Sequence, residues 1–247
     1  MLFASDLDNT LIHSYKNSKI GDVCVEMKDG RELSFMSSDN YNLLKYIVKQ
    51  CEFVPITTRS LEQYQRINLG VVPKYAIVAH GAILLIDGKI DEQWVLETRK
   101  LISKKLPEIH ENDILYDVRY VDDFFIFGKS NDVFKAVKYL QTFIDNKDFI
   151  ACSVQNKFYV MPKQLKKGTA MERLKNRINE KFVICAGDSF LDISMLEIAD
   201  IAISPKNIEL KNKNHQILCE ECFSTEMLRI AAKSIEECKI KAKLDIP

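Results

Sequence analysis

Residues 2–11 read LFASDLDNTL, and this stretch decides the fold. Leu2, Phe3 and Ala4 form a short apolar run that begins almost at the first residue. Such a run, apolar without alternation, predicts a strand buried on both faces, as in a parallel sheet. It stops at Asp6, and a second carboxylate, Asp8, follows after one residue. An aspartate after a strand is ordinary as a turn residue or helix cap. Two at this spacing also suit an attacking carboxylate with a proton-transferring neighbour.

The same texture recurs along the chain. SSDNYNLLKYIVKQ offers a cap and then Leu43, Leu44, Ile47 and Val48 at helical spacing. CEFVPITTRS is a second apolar run, ending in hydroxyls, and SLEQYQRINLG predicts a helix closed by Gly70. KYAIVAHGAILLIDGKI predicts strand, glycine turn and strand, then a hairpin at Asp87-Gly88. From about Asp91 a helix-strand-strand unit is read twice, with one turn at Asp122-Asp123. After Pro162 the first texture returns in KKGTAMERLKNRI, KFVICAGDS and SFLDISMLEIA. DIAISP reads as the last short strand and STEMLRIAAKSIEECKIK as a final helix. Alternating strands and helices at both ends predict an α/β fold with a doubly wound, mostly parallel sheet. The expected division is a core of residues 1–86 and 163–247, with an α+β cap inserted at 87–162.

Bulk properties narrow the function. A chain of 247 residues, 47% hydrophobic and 28% charged, can bury a sizeable core. Lys plus Arg equals Asp plus Glu at 35 each, so no global charge draws the chain to nucleic acid or membrane. No apolar run is long enough to span a bilayer, and no signal peptide is read at the N-terminus. Seven irregularly spaced cysteines fit free thiols in a reducing cytoplasm. Cys219 and Cys222 have ligand spacing, yet with His215 alone nearby no zinc site is completed.

In a parallel sheet ligands bind beyond the carboxyl ends of the strands. There the sequence puts Asp6 and Asp8, then Thr57 and Thr58, then Asp188, with Lys166 and Lys167 opening a helix. Clustered carboxylates cannot all be ionised and unpaired, and Mg²⁺ with its preference for oxygen ligands would resolve the conflict. A carboxylate beside such a cation can attack phosphorus, while hydroxyl, backbone N–H and lysine hold the phosphoryl oxygens.

DLDNTL, PITTRS, KKG and GDSFLD, in that order over residues 6–192, resemble the four motifs of the haloacid dehalogenase superfamily phosphatases. The insertion between the second and third resembles the type II cap subgroup, and TTRS and AHGA resemble segments of its Cof-like and sucrose-phosphate-phosphatase-like members. The resemblance implies Asp6 as nucleophile and Asp8 as general acid, then base. It implies Thr57, with Thr58, as phosphate binder and Lys167 as stabiliser of nucleophile and phosphate. Mg²⁺ would be held by Asp6, the main-chain carbonyl of Asp8, and Asp188. Asp192, one helical turn on, would hold metal waters or the lysine. Thr58, His80 and Leu191 stand where relatives usually carry Gly, Asn and Asn, and Asn207 follows a strand that lacks the usual Gly-Asn. Arg59 is read equally as a reach toward a substrate anion or as an ion pair of the core, and His13 as a loop residue.

The expected function is a Mg²⁺-dependent phosphatase of a small phosphorylated metabolite, a sugar phosphate foremost, acting through an aspartyl-phosphate. The alternatives are a sugar phosphotransferase or phosphomutase on the same fold, and a binding module without turnover. Tyr116, Arg119, Tyr120 and Tyr159 are candidate cap contacts to substrate, or packing on a sheet face.

Overall fold

The computed structural model describes residues 1–102, 104–211, 216–219 and 223–244, with side chains up to 241. Cys222 and His215 lie outside the described residues. The first apolar run is strand β1 (Leu2–Ser5). It is followed by β2 (His13–Ser14), β3 (Val23–Lys28) and β4 (Arg31–Met36). Helix α1 (Ser38–Ile47), capped by the Ser37 hydroxyl, leads to β5 (Glu52–Pro55) and α2 (Leu61–Gln65). Next come β6 (Tyr75–Val78), β7 (Ile83–Ile86), β8 (Lys89–Ile90) and α3 (Glu92–Ile102). The inserted unit holds β9 (Tyr116–Val121), β10 (Phe125–Lys129), α4 (Val133–Gln141), β11 (Phe149–Val154) and β12 (Lys157–Pro162). The chain returns through α5 (Lys167–Arg177), β13 (Val183–Ala186), α6 (Ile193–Leu196), β14 (Ile201–Pro205), β15 (Gln216–Cys219) and α7 (Phe223–Leu244).

The central sheet is all parallel, in the order β15-β14-β13-β1-β5. Its period of two fills both faces. Leu2, Ala4, Val54, Val183 and Cys185 pack toward α5 and α6. Phe3, Phe53, Ile184 and Ile203 pack toward α1 and α7. Burial on both faces explains why β1 reads as a continuous apolar run. Register fixes where the functional residues fall. Ser5 pairs with Pro55 on one side and Ala186 on the other, so Asp6, Thr57 and Asp188 all follow the same sheet edge.

A separate antiparallel sheet, β11-β12-β10-β9, forms the cap. One face packs on α4 through Ile126, Ala151, Phe158 and Val160. The other face sets Phe125, Tyr159 and Met161 against Val78, Ala79 and Ile83 of the β6–β7 hairpin. The turn between β9 and β10 adds a polar tie, because Asp122 Oδ2 accepts from the Leu61 N–H at 2.9 Å.

Several expectations are corrected. The helix expected through Gly70 ends at Gln65, because Ile67 leaves to bridge Glu26 on the β3–β4 hairpin. DIAISP is not the last strand, since β15 adds a parallel edge beyond it. His13 is in a short strand, with Nε2 at 2.8 Å from Asp22, rather than in a loop. The hairpin of β3 and β4 had no counterpart in the sequence reading. Helix α3, expected within the inserted module, buries Trp94 in the layer that covers the parallel sheet.

Candidate active site

Asp6 leaves β1 with its backbone N–H still donating to Ala186 O at 3.0 Å, so the strand pairing aims its side chain at the rim. Its Oδ1 accepts from Lys167 Nζ at 2.6 Å. Thr10 Oγ1 stands 3.4 Å from Asp6 Oδ2 and 3.1 Å from Asp188 Oδ1, joining the two carboxylates. Carboxylate oxygens of Asp6, Asp188 and Asp192 all lie within 4.8 Å of one another.

Lys167 is 1% exposed and opens α5, whereas Lys166 is an exposed residue at the cap position. The buried ammonium is placed by the glycine behind it. A Cβ on Gly168 would meet Ser194 O at 2.1 Å, so only glycine lets α5 approach this closely. Lys167 also donates to Asp192 Oδ1 at 2.5 Å. Asp192 Oδ2 accepts from the Ser189 N–H at 3.0 Å and hydroxyl at 2.8 Å. Residues 190–192 form a 3-10 turn, so Asp192 follows Asp188 through a capping box and not through the expected α-helical turn. Its hydrogen bonds go to the lysine and the loop.

The electrostatics follow from three carboxylates facing one ammonium. Burial raises the Asp6 carboxyl well above its ordinary range, and Asp192, Asp188 and Asp8 add to the rise against Lys167. Burial and then Asp192 push Asp188 up to about 6. Burial opposes the charge on Lys167, but Asp192 and Asp6 outweigh it and raise its pKa. An oxygen-rich cluster with this excess negative charge fits a hard divalent cation such as Mg²⁺.

Asp8 faces differently. Burial would raise its carboxyl, yet the Arg59 guanidinium holds it below the ordinary range. Arg59 Nε and one terminal nitrogen donate to its two oxygens at 2.9 and 2.8 Å, a bidentate fork. Of the two readings of Arg59, the ion pair is the one observed. Thr57 is fully buried beyond β5, and its hydroxyl accepts from the Arg59 N–H at 3.1 Å. The turn after β6 braces this loop, since Ala79 N–H donates to Arg59 O and His80 N–H to Thr57 O. Thr58 is half-buried on the same loop.

The unusual residues meet the cap. His80 holds a left-handed conformation (φ 58°) and sets its ring 6.4 Å from that of Phe125. Burial and then Lys167 push it down to about 3, so it is neutral, and its Nδ1 has no partner among the described residues. Leu191 packs against the cluster of Phe124, Phe125, Tyr159 and Met161. Asn207 is exposed in the turn after β14. Of the cap candidates, Tyr159 shares the core-facing side, where Asp8 is among the charges that, after burial, raise its phenol. Tyr120 bonds the backbone of Pro107 and Ile109, Tyr116 bonds Asn131, and Arg119 bonds Asp117. Thr10 was missed, although the threonine of DLDNT was a signal for it; the ion pair of Arg59 was one of its two readings, but nothing local announces Asp8 as the partner.

The family model for haloacid dehalogenase-like hydrolases matches residues 97–218. A curated relative, a phosphoglycolate phosphatase of Sulfurisphaera tokodaii, is 26% identical over 215 residues, covering 82% of this chain and 80% of its own. Among solved structures, the sucrose-phosphatase of Synechocystis, in complex with sucrose and phosphate, superposes with a TM-score of 0.62 at 15% identity. That match covers 94% of this chain and 97% of the other. A haloacid dehalogenase-like hydrolase from B. subtilis superposes with a TM-score of 0.61 at 16% identity, covering 94% and 98%. These two share the fold. The family match, the curated relative and the motif order agree: the chain is similar to the haloacid dehalogenase-like hydrolases, and to phosphatases among them.

Proposed function

We propose that the protein is a Mg²⁺-dependent phosphatase of a small phosphorylated metabolite that works through an aspartyl-phosphate. One observation carries the reading: Asp6 stands at the carboxyl end of β1 within reach of Lys167, Thr10 and Asp188, with Asp8 two residues on. Asp6 attacks phosphorus in line with the leaving oxygen. Lys167 orients Asp6 and favours its ionised form against the rise that burial imposes. Thr57 and Thr58, with the backbone of their loop, hold phosphoryl oxygens. Asp8, which Arg59 holds ionised here, is placed to take a proton from the water that releases phosphate; to give one to the leaving oxygen it must first take up a proton and leave the Arg59 fork. Asp6, Asp188 and the Asp8 carbonyl would hold the Mg²⁺, with Asp192 ordering its surroundings through Lys167. The cation supplies charge neutralisation as negative charge redistributes over the phosphoryl oxygens.

The segment 87–162 is proposed as the cap, with α3 as the part that ties it to the core. On the core-facing side of its sheet, half-buried Phe127 beside Tyr159 offers a ring to the face of a sugar, which favours a sugar phosphate. A second reading, a short phosphorylated acid, is favoured by Lys157. It lies on the same face, 5.9 Å from the Phe127 ring centroid, and its charge helps to lower the Asp8 carboxyl. No helix among the described residues is long and apolar enough to cross a membrane. The six described cysteines are free thiols, which supports a reducing cytoplasm as the compartment.

Phosphate release from p-nitrophenyl phosphate with Mg²⁺ tests the reading, and Asp6→Asn is expected to abolish it. Full activity in that variant would falsify the assignment. Sugar phosphates compared with phosphorylated short acids separate the two substrate classes. Sugar-phosphate isomerisation without phosphate release would favour a phosphotransferase instead.

A further inference from the structure

The β3–β4 hairpin carries a buried charge that none of the steps above uses. Glu26 is 3% exposed and sits where the pairing with β4 slips on both sides, between Cys24 and Glu26 and again between Glu26 and Met27. A bulge of this kind re-aims a side chain out of regular alternation. Here the Glu26 carboxylate is turned into a set of donors. Its Oε2 accepts from Ser34 Oγ at 2.6 Å and lies 2.8 Å from an Arg59 terminal nitrogen. Its Oε1 accepts from two Arg66 nitrogens, at 3.2 and 3.4 Å.

Arg59 therefore spans two carboxylates. One terminal nitrogen is on Glu26, while the opposite edge, Nε and the other terminal nitrogen, forks Asp8. The Ser34 hydroxyl lies 3.2 Å from the second terminal nitrogen and completes the frame. A guanidinium held at one edge alone keeps its freedom to swing on a flexible stem, whereas one held at both edges is fixed in plane. Arg66 has its own surface partner in Glu62, so pairing Arg66 alone does not account for Glu26.

We propose that Glu26 is a positioning residue. Acting through Arg59, it fixes where Asp8 presents its carboxylate to the water that releases phosphate. The proposal rests on the reading of Asp8 as the proton-transferring group. It gives the hairpin a place in the reaction, although the hairpin touches none of the clustered carboxylates around Lys167.

A double-mutant cycle tests it on the purified full chain with p-nitrophenyl phosphate and Mg²⁺. Glu26→Ala is expected to lower kcat by about 10- to 100-fold, the scale of an ångström-level misplacement, with KM little changed. Glu26→Gln keeps an acceptor oxygen toward Arg59 and is expected to recover most of that loss. In an Arg59→Ala background Glu26→Ala should add nothing, because the residue it acts through is gone. Additive losses, or a raised KM at unchanged kcat, overturn the proposal. The ¹⁵N–¹H signal of Arg59 Nε gives a readout independent of turnover. A slowly exchanging signal in the native protein that is lost in Glu26→Ala and kept in Glu26→Gln supports the proposal. An unchanged signal in Glu26→Ala overturns it. A native protein without phosphatase activity contradicts the phosphatase reading, and this signal then decides the positioning role alone.

Discussion

Lys167 is the residue on which the site balances. It is a buried cation between Asp6 and Asp192, at 2.6 and 2.5 Å. Removing one member of such a set leaves buried charge uncompensated, at a cost of about 3–5 kcal/mol. Lys167→Ala should therefore lower both activity and Tm, read by phosphate release and thermal melting, whereas Lys166→Ala should change neither. Both raised carboxyls also make a linkage prediction. The protonated form of Asp188 favours the folded state, fully below about pH 4, the ordinary carboxylate value. That contribution is lost as pH rises through its folded pKa of about 6. Asp6 shifts in the same direction. Without Mg²⁺ these groups destabilise the fold as pH rises, and Mg²⁺ binds their ionised forms. The rise in Tm on adding Mg²⁺ should thus be larger at about pH 7.5 than at about pH 5. An equal rise at both, read by calorimetry, would contradict this. Asp6, Asp8, Asp188 and Lys167 were legible because each carries its own local motif. Glu26 was not, because its partner Arg59 is remote in sequence and its inward aim comes from a bulge that no residue pattern announces.

At the scale of elements, glycine contacts show how helices bring these groups to the rim. Gly168 lets α5 lie against Ser194 at the start of α6, and its N–H donates to Ser194 Oγ at 3.0 Å. Gly168→Ala should cost about 1–3 kcal/mol by overpacking, read from denaturant unfolding, and should lower activity by displacing Lys167. A loss of stability below a few tenths of a kcal/mol would show that the helices can separate freely. The parallel strands β1, β5, β13 and β14 were legible from short apolar runs ending in polar residues. Strand β15 was not. Its Ile217 and Leu218 are partly exposed at the sheet edge, so QILC lacks the long apolar signal of a central strand. The hairpin of β3 and β4 mixes charged and apolar residues without clean alternation, since its bulge breaks the period of two.

Across the whole molecule, the cap roofs the carboxyl edge of the sheet. Phe125, Tyr159 and Met161 pack in one cluster with the β6–β7 hairpin, and Asp122 adds a hydrogen bond to the start of α2. Asp122→Ala should loosen the roof, lowering kcat/KM several-fold for a small substrate while leaving the unfolding free energy within about 1 kcal/mol of native. An unchanged kcat/KM would remove Asp122 from closure. That a cap follows the second motif was legible from the change of texture near Asp91. Its docking was not, because His80 and Leu191 gain meaning only when Phe125 and Tyr159 are brought above them. The central claim is that Asp6 attacks phosphorus. Acid quenching during turnover of a ³²P-labelled phosphoester, followed by peptide mapping, tests it most directly. Label on the peptide containing Asp6, absent from Asp6→Asn, is the result expected. Turnover with no labelled protein, or label on a different peptide, would contradict the account.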